Sequence, residues 1–90
     1  MFVSVIVEPG SDGRLDELDY LLEQYGFKEI QRGVWESTSI MEKYLSRLKR
    51  DIDRKTDYYD KVRMYQYPLE GSLSITSLIQ KHWKRILVKT

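Results

Sequence analysis

The apolar patterns of this chain switch between two periods, and their order constrains the fold more than any other feature. Strand-like runs bracket two segments whose leucines recur at helical spacing. The predicted elements are, in order, a strand at residues 2–7, a helix at 14–25, strands at 27–31 and 34–37, a helix at 40–53 and a strand at 61–67. A chain with this order of elements is expected to fold as an α+β domain.

Local signals predict several of the boundaries. Gly26 stands where a left-handed residue ends a helix, and Arg32 with Gly33 predicts a two-residue hairpin turn. Ser39 followed three residues later by Glu42 predicts a capping box at the start of the second helix. The whole order is that of the split βαβ unit, which predicts a ferredoxin-like fold, with four antiparallel strands and two helices on one face.

The other face of such a sheet is left bare, and the chain has more large apolar side chains than a small core can hold. Phe2, Val34, Trp35, Tyr65 and Tyr67 cannot all be buried within one chain of this length. We therefore predict that part of this surface meets a second copy of the chain, and that the protein is a homodimer.

Residues 69–90 extend beyond a core of about residues 1–68, within a single domain of 90 residues. Within this extension, residues 73–76 or 86–88 predict a fifth strand, whereas residues 78–85 are equally compatible with a helical turn. We expect the extension to contribute to the dimer.

Composition limits the class of protein. The chain contains no cysteine, which excludes a disulfide framework, and its one histidine, His82, excludes a histidine-based metal cluster. No apolar run approaches the roughly 20 residues of a membrane span, and the N-terminus lacks the pattern of a secretory signal. We expect a soluble, cytoplasmic protein without a membrane partner.

Charge is distributed unevenly along the chain, although the formal net charge is only +1. Residues 1–29 contain seven acids and two bases, a net charge of −5, so the remaining residues carry +6. The bases gather at residues 43–55 and 81–89, and the last ten residues contain no acid. This asymmetry favours a surface that meets a polyanion, although a solvated helix face and a basic tail explain it equally well.

Glu8 is the first candidate for chemistry because it ends the first strand and is followed by a glycine-containing turn at residues 9–13. Proteins of the α+β class commonly place metal-binding or phosphate-facing groups at such a strand end. A solvated strand end is the simpler explanation of a single carboxylate, so Glu8 needs support from the rest of the chain.

Three further motifs follow Glu8 in a fixed order. They are Tyr25-Gly26-Phe27, then residues 31–36 with the sequence Gln-Arg-Gly-Val-Trp-Glu, then residues 60–65 with the sequence Asp-Lys-Val-Arg-Met-Tyr. In order and spacing, residues 1–67 resemble the CRISPR-associated Cas-two family, the small dimeric protein that accompanies the spacer integrase in antiviral defence. The chain departs from that family where Glu8 replaces the usual aspartate and where Gly33 replaces a frequent serine.

The resemblance implies a homodimer that binds duplex DNA and partners the CRISPR spacer integrase. It places Glu8 of each protomer near the two-fold axis, where the pair is the candidate catalytic and Mg²⁺-binding group. It also implies a phosphate contact at Arg14 and a basic track, which we assign to Arg14, Arg32, Arg47 and Arg50. Such residues bind the nucleic-acid backbone through charge, so the affinity is expected to fall with salt.

Three functions remain open at this point. The favoured one is a CRISPR adaptation protein, whose dimer holds duplex DNA and spaces the integrase subunits without chemistry at Glu8. The alternative is an Mg²⁺-dependent endonuclease acting on RNA or DNA, in which paired Glu8 carboxylates, alone or together with Asp12, bind the metal. The third is a ferredoxin-like regulatory or oligomerisation module that binds no nucleic acid, because a fold by itself fixes no activity.

Overall fold

The computed structural model describes residues 1–11, 16–69 and 71–89, which form one antiparallel sheet and the helices that cover it. In chain order the elements are β1 (Phe2–Glu8), α1 (Asp16–Gln24), β2 (Lys28–Gln31), β3 (Val34–Ser37), a 3-10 helix (Glu42–Tyr44), α2 (Leu45–Lys55), β4 (Lys61–Leu69), β5 (Ser72–Ile79) and β6 (His82–Lys89). The strands lie in the order β2-β3-β1-β4-β5-β6. The protein is therefore a small α+β domain.

The centre of the sheet is β1, which pairs with β3 on one side and with β4 on the other. Val3, Val5 and Val7 alternate onto a buried face, and Met64 of β4 lies opposite Val5. The two helices complete this core with Leu18, Leu21 and Leu22 of α1 and Leu45, Leu48 and Ile52 of α2. These leucines and isoleucine recur at the three- and four-residue spacing of one helix face, so the predicted helices bury the predicted stripes.

The second helix begins later than its sequence pattern predicts. Ile40 is buried in an extended segment, the chain then forms the 3-10 helix, and α2 starts only at Leu45. The predicted capping box is wrong, because neither of these helices has a side-chain cap and the backbone N–H of Ser39 donates to Ser37 Oγ instead. Burial of the Ile40 side chain thus outweighs a cap worth about 1 kcal/mol.

The C-terminal extension folds as a hairpin that widens the same sheet. Both predicted strand segments form strands, so the alternative of a helical turn at residues 78–85 is wrong. Two residues, Gln80 and Lys81, connect β5 to β6, and both have the positive φ angles, 53° and 61°, of the tight turns that suit twisted hairpins. Ser74, Thr76 and Leu78 of β5 are buried against the rest of the domain.

The bare sheet face is the surface of the sheet that points away from the helices. Four of the five large side chains that were expected to exceed the core lie on this face. They are half-buried or exposed: Phe2, Val34, Tyr65 and Tyr67. Trp35, the fifth residue of that set, lies on the helix side and is 2% exposed. On β5 and β6 this face continues with Ile75, opposite Ile86, and with Leu73, opposite Val88. Among the described residues, no helix is long and apolar enough to span a membrane.

Candidate functional site at the end of the first strand

Glu8 lies at the last position of β1, and its side chain points into solvent. Its neighbour on β4 is Lys61, whose Nζ lies 4.0 Å from Glu8 Oε2. The Glu8 side chain is 71% exposed, so this ion pair is worth little and leaves the carboxylate accessible to a ligand or to a second chain.

A second acid, Asp60, fixes the turn that follows Glu8. Asp60 is fully buried, and its two carboxylate oxygens accept hydrogen bonds from the backbone N–H groups of Gly10, at 2.8 Å, and Asp57, at 2.9 Å. A buried carboxylate that accepts two backbone hydrogen bonds joins the end of β1 to the loop before β4. We name the turn at residues 9–11 and the loop at residues 56–60, joined in this way, the Asp60 clasp.

Gly10 is required in the Asp60 clasp because the backbone of Tyr59 passes directly beside it. A Cβ atom at Gly10 would lie 2.7 Å from the carbonyl oxygen of Tyr59 and 2.8 Å from its carbonyl carbon. Gly10 therefore has a packing function, and the sequence pattern around it is explained without a phosphate-binding loop.

The hairpin between β2 and β3 reaches the same end of the sheet. Its turn residue Gly33 has a φ of +77° and accepts a 2.8 Å hydrogen bond from the backbone N–H of Val7. A Cβ atom at Gly33 would lie 2.8 Å from the carbonyl oxygen of Val7. Glycine is therefore required both by the positive φ angle and by the lack of room for a Cβ atom. The hydrogen bond also brings the neighbouring Arg32 to the end of β1 where Glu8 lies.

The predicted nucleic-acid-binding arginines are distributed over the domain. Arg32 is exposed at the Glu8 end of the sheet, whereas Arg14 lies outside the described residues, as does Asp12. Arg47 and Arg50 are exposed on α2, where both guanidinium groups lie near enough to Tyr25 to influence its pKa. Tyr25 precedes β2, whose Lys28 is level with Ser4 through Glu36, whereas Arg32 lies at the Glu8 end of the sheet.

A cavity of about 520 Å³ opens beside Tyr25, between α1 and the start of α2. Its lining includes Leu21, Ile40, Tyr44, Arg47 and Asp51. The Tyr25 hydroxyl donates a 2.7 Å hydrogen bond to Asp51 Oδ2. Burial and this hydrogen bond raise the pKa of Tyr25 to about 12, and the two nearby arginines only partly oppose the change. Tyr25 is therefore a neutral hydrogen-bond donor at physiological pH.

The β5–β6 turn is clamped onto the end of α2 by charge. Lys81 Nζ donates to the Asp53 carboxylate and to the carbonyl oxygen of Thr56, and Trp83 Nε1 donates to Asp53 Oδ2 at 3.2 Å. The hydrogen bond from Lys81 is the main reason that the pKa of Asp53 lies below its ordinary value. Part of the basic tail thus has a structural task, since Lys81 neutralises the carbonyl end of α2.

Two other cations of the basic segments lie close together. Burial, and secondarily the charge of Arg85 on β6, lower the pKa of Lys49 on α2. Arg85 Nε donates a 3.1 Å hydrogen bond to Ser74 Oγ. Burial is the larger cause of the lowered pKa, and the smaller contribution of Arg85 shows only that a second cation lies near Lys49.

A metal site built from one chain does not fit the described residues. Within them, no group of three or more histidine, cysteine, aspartate or glutamate side chains could hold an ion. Glu8 offers one accessible carboxylate, which lies 4.0 Å from the Lys61 ammonium, and the Asp60 carboxylate accepts hydrogen bonds from two backbone N–H groups. Among the described residues, a site on Glu8 would need ligands from a second protomer, and no catalytic step through Mg²⁺ follows from them.

Sequence reasoning identified Glu8 but missed the structural role of Asp60. In the sequence Asp60 is only the first residue of a motif, and its position directly before an alternating strand is the signal that points to it. Comparison with family models, with curated proteins and with solved structures finds no match to this chain.

Proposed function

We propose that this protein is a dimeric, duplex-DNA-binding adaptor of CRISPR adaptation, built on a ferredoxin-like unit with a C-terminal hairpin. The observation that carries the proposal is the bare sheet face, which combines exposed apolar side chains with a row of cations. Support for the ferredoxin-like unit comes from the antiparallel order of its first four strands, β2-β3-β1-β4, and from the two helices that follow β1 and β3.

The bare sheet face supports a homodimer because it exposes large apolar side chains over several adjacent strands. Tyr67 is 46% exposed and Ile86 is 56% exposed, and both lie on this face. A contiguous apolar surface of this kind is typical of a protein interface. Pairing through it would add buried area that a chain of this length lacks by itself.

Cations lie around the apolar part of this face. Lys61, Arg63 and Lys84 occupy positions of the same face on β4 and β6, and Arg63 lies over the ring of Tyr65, with 5.5 Å from its guanidinium carbon to the ring centroid. Together with Arg32, Arg47 and Arg50, and with Arg14, they supply the charge with which the proposed dimer would hold a phosphate backbone. Contacts of this kind give affinity without base specificity.

No chemistry at Glu8 is required in the adaptor. Its carboxylate lies beside a lysine on an exposed strand end, which suits a positioning or repulsive group at a dimer axis as well as a catalytic one. In this proposal the dimer spaces the subunits of the spacer integrase, which is the protein partner that the family resemblance implies.

The second candidate is an Mg²⁺-dependent endonuclease acting on RNA or DNA. It is favoured by the exposure of Glu8 at a strand end, where two chains related by a two-fold axis can bring their carboxylates together. The third candidate, a regulatory or oligomerisation module, would use the bare sheet face in the same way and leave the cations to solvent.

Binding of duplex DNA measured by fluorescence anisotropy tests the proposal. We expect binding at about 50 mM salt that weakens by a factor of about 10³ or more at about 200 mM, if some six phosphates are contacted. Removing one charge with Arg32→Ala or Arg47→Ala should weaken binding, whereas the control variant Tyr20→Ala, at an exposed position of α1, should not. Indifference to DNA at low salt would favour the third candidate.

The dimer is tested separately by sedimentation. We expect the wild-type chain to sediment as a dimer and Ile86→Glu to sediment as a monomer, because a buried unpaired charge is costly at an interface. Tyr20→Glu, at an exposed position of α1, is the control and should remain dimeric. A wild-type monomer at high concentration would contradict the adaptor proposal.

A further inference from the structure

Two neighbouring tyrosines, Tyr58 and Tyr59, project from the Asp60 clasp into solvent. Their side chains are among the most exposed large ones of the chain, with 51% and 73% exposure. The rings contact each other edge to face, with centroids 5.3 Å apart and an angle of 82° between their planes. Each phenol ring therefore offers a face that a second planar group can cover.

The loop that carries the pair is firmly held, although the rings are exposed. Asp57, which precedes the pair, accepts a 2.9 Å hydrogen bond at Oδ1 from the backbone N–H of Tyr59. The backbone N–H of Asp57 in turn donates to the carboxylate of Asp60, which follows the pair. On the outer side, the backbone of Tyr59 packs against Gly10. The rings are thus presented on a preorganised support, which lowers the entropic cost of binding a ligand to them.

Cations stand on both sides of the tyrosines along the chain. Arg54 and Lys55 at the end of α2 precede the pair, and Lys61 at the start of β4 follows it. All three are exposed, although Lys55 Nζ lies 3.4 Å from Glu17 Oε2 and Lys61 lies near Glu8. The aromatic pair thus lies between positive groups along the chain, and a single nucleic-acid strand offers both unpaired bases that can stack and phosphates that cations can contact.

We propose that Tyr58 and Tyr59 form a stacking site for unpaired bases of single-stranded nucleic acid, with Arg54, Lys55 and Lys61 contacting the neighbouring phosphates. Paired bases are stacked within a duplex and cannot cover these rings, so this site takes a different ligand from the proposed duplex track. It goes beyond the adaptor function and does not depend on it. The site is sequence-tolerant, because every base has an aromatic face.

The decisive probe is a pair of single strands that differ only in their bases. We compare an oligothymidine of about 12 nucleotides with an abasic strand of equal length, which keeps every phosphate, by fluorescence anisotropy. The wild-type protein should bind the oligothymidine at least about fivefold more tightly than the abasic strand, the smallest effect expected of one stacked base. The preference should disappear in the double variant Tyr58→Ala, Tyr59→Ala.

Matched variants separate stacking from other effects. Tyr58→Phe with Tyr59→Phe keeps both rings and should keep the preference for bases, while Tyr20→Ala removes an equally exposed tyrosine from α1 and should also keep it. Circular dichroism tests whether the double alanine variant is folded. If it is not, each single alanine variant is measured instead. Each single variant should lose part of the preference.

Three results would overturn the stacking site. They are equal affinity of the wild-type protein for the two strands, absence of binding to both, and a preference that survives in the double alanine variant, which would leave the tyrosines as a surface for a protein partner. A blunt duplex of the same length is measured in parallel. Its binding bears only on the adaptor proposal, so the two proposals can fail independently.

Discussion

The buried carboxylate of Asp60 accepts a 2.8 Å hydrogen bond from the backbone N–H of Gly10, a residue fifty positions earlier in the chain. Through this bond the end of β1 and the loop before β4 become one rigid unit, the Asp60 clasp. Glu8, Tyr58 and Tyr59 all project from it or from its margin. The exposed groups at this end of the sheet therefore depend on an acid that never meets solvent.

Asp60→Asn should destabilise the fold by about 3 kcal/mol, because the amide cannot accept from two backbone donors as the carboxylate does. The free energy of unfolding is measured in urea. Glu8→Gln removes a carboxylate from the same end of the sheet, but from an exposed position, and should change stability by less than about 0.5 kcal/mol. Equal effects of the two substitutions would show that the clasp does not hold this end together.

Gly10→Ala should cost about 1–3 kcal/mol, the usual range for overpacking, because its Cβ would meet backbone atoms of Tyr59 that cannot rotate away. Thermal unfolding followed by circular dichroism measures the loss. Ser11→Ala, at the exposed neighbouring position, is the control and should leave the midpoint unchanged. A fully stable Gly10→Ala protein would contradict the close approach of the two loops.

Asp53 should make stability depend on pH in the acid range. Its folded pKa lies below the ordinary value of 3.8, so its contribution is present above that value and is lost as the pH falls through the folded pKa. Because its side chain is 35% exposed, solvent screening limits the contribution to about 1 kcal/mol or less. Urea unfolding should show Asp53→Asn less stable than wild type near neutrality, with the gap closing below the folded pKa. A constant gap would refute the linkage.

Glu8→Gln should leave duplex binding and dimer formation unchanged, since the adaptor uses no chemistry at this carboxylate. Anisotropy and sedimentation of the variant measure both properties. Cleavage of RNA and DNA by the wild-type protein is assayed with and without EDTA. Cleavage that EDTA abolishes and Glu8→Gln removes would favour the endonuclease, whereas loss of dimer formation in the variant would count against the adaptor.

The strands and helices were predictable where the buried residues recur with the two-residue period of a strand or the 3.6-residue period of a helix. The third strand, Val34–Ser37, was predicted with its observed bounds, because the Arg32-Gly33 turn and alternating burial both mark it. The second helix was misplaced at its start because a capping motif is local, whereas the burial of Ile40 depends on its packing in a core built from residues distant in the sequence. Competition of this kind cannot be seen in a window of a few residues.

The C-terminal hairpin was only half predictable. Residues 73–76 and 86–88 were each compatible with a strand, but Gln80 and Lys81 are not the residues that usually form a turn with two positive φ angles. What compensates is a long-range contact, the bond from Lys81 to Asp53 on α2, which supplies energy that the turn itself lacks. A pairing between residues twenty-eight positions apart leaves no periodic trace in the sequence.

The candidate site divides in the same way. Glu8 could be found because it interrupts an apolar strand, but the partners of Asp60 lie in two separate loops and emerge only when β1 pairs with β4. The exposure of Tyr58 and Tyr59 depended equally on tertiary structure. Aromatic residues before a strand are as compatible with a core as with a surface until the Asp60 clasp fixes which way they face.

The position of β6 as the outermost strand of the sheet has a consequence for handling the protein. Ile86, Leu87 and Val88 are consecutive and exposed, which is the composition of an aggregation-prone edge. Lys84, Arg85 and Lys89 flank them and act as gatekeepers, because like charges oppose the stacking of one edge on another. Conditions that mask these charges, such as concentrated polyvalent anions, should therefore favour fibrous precipitation starting from this strand.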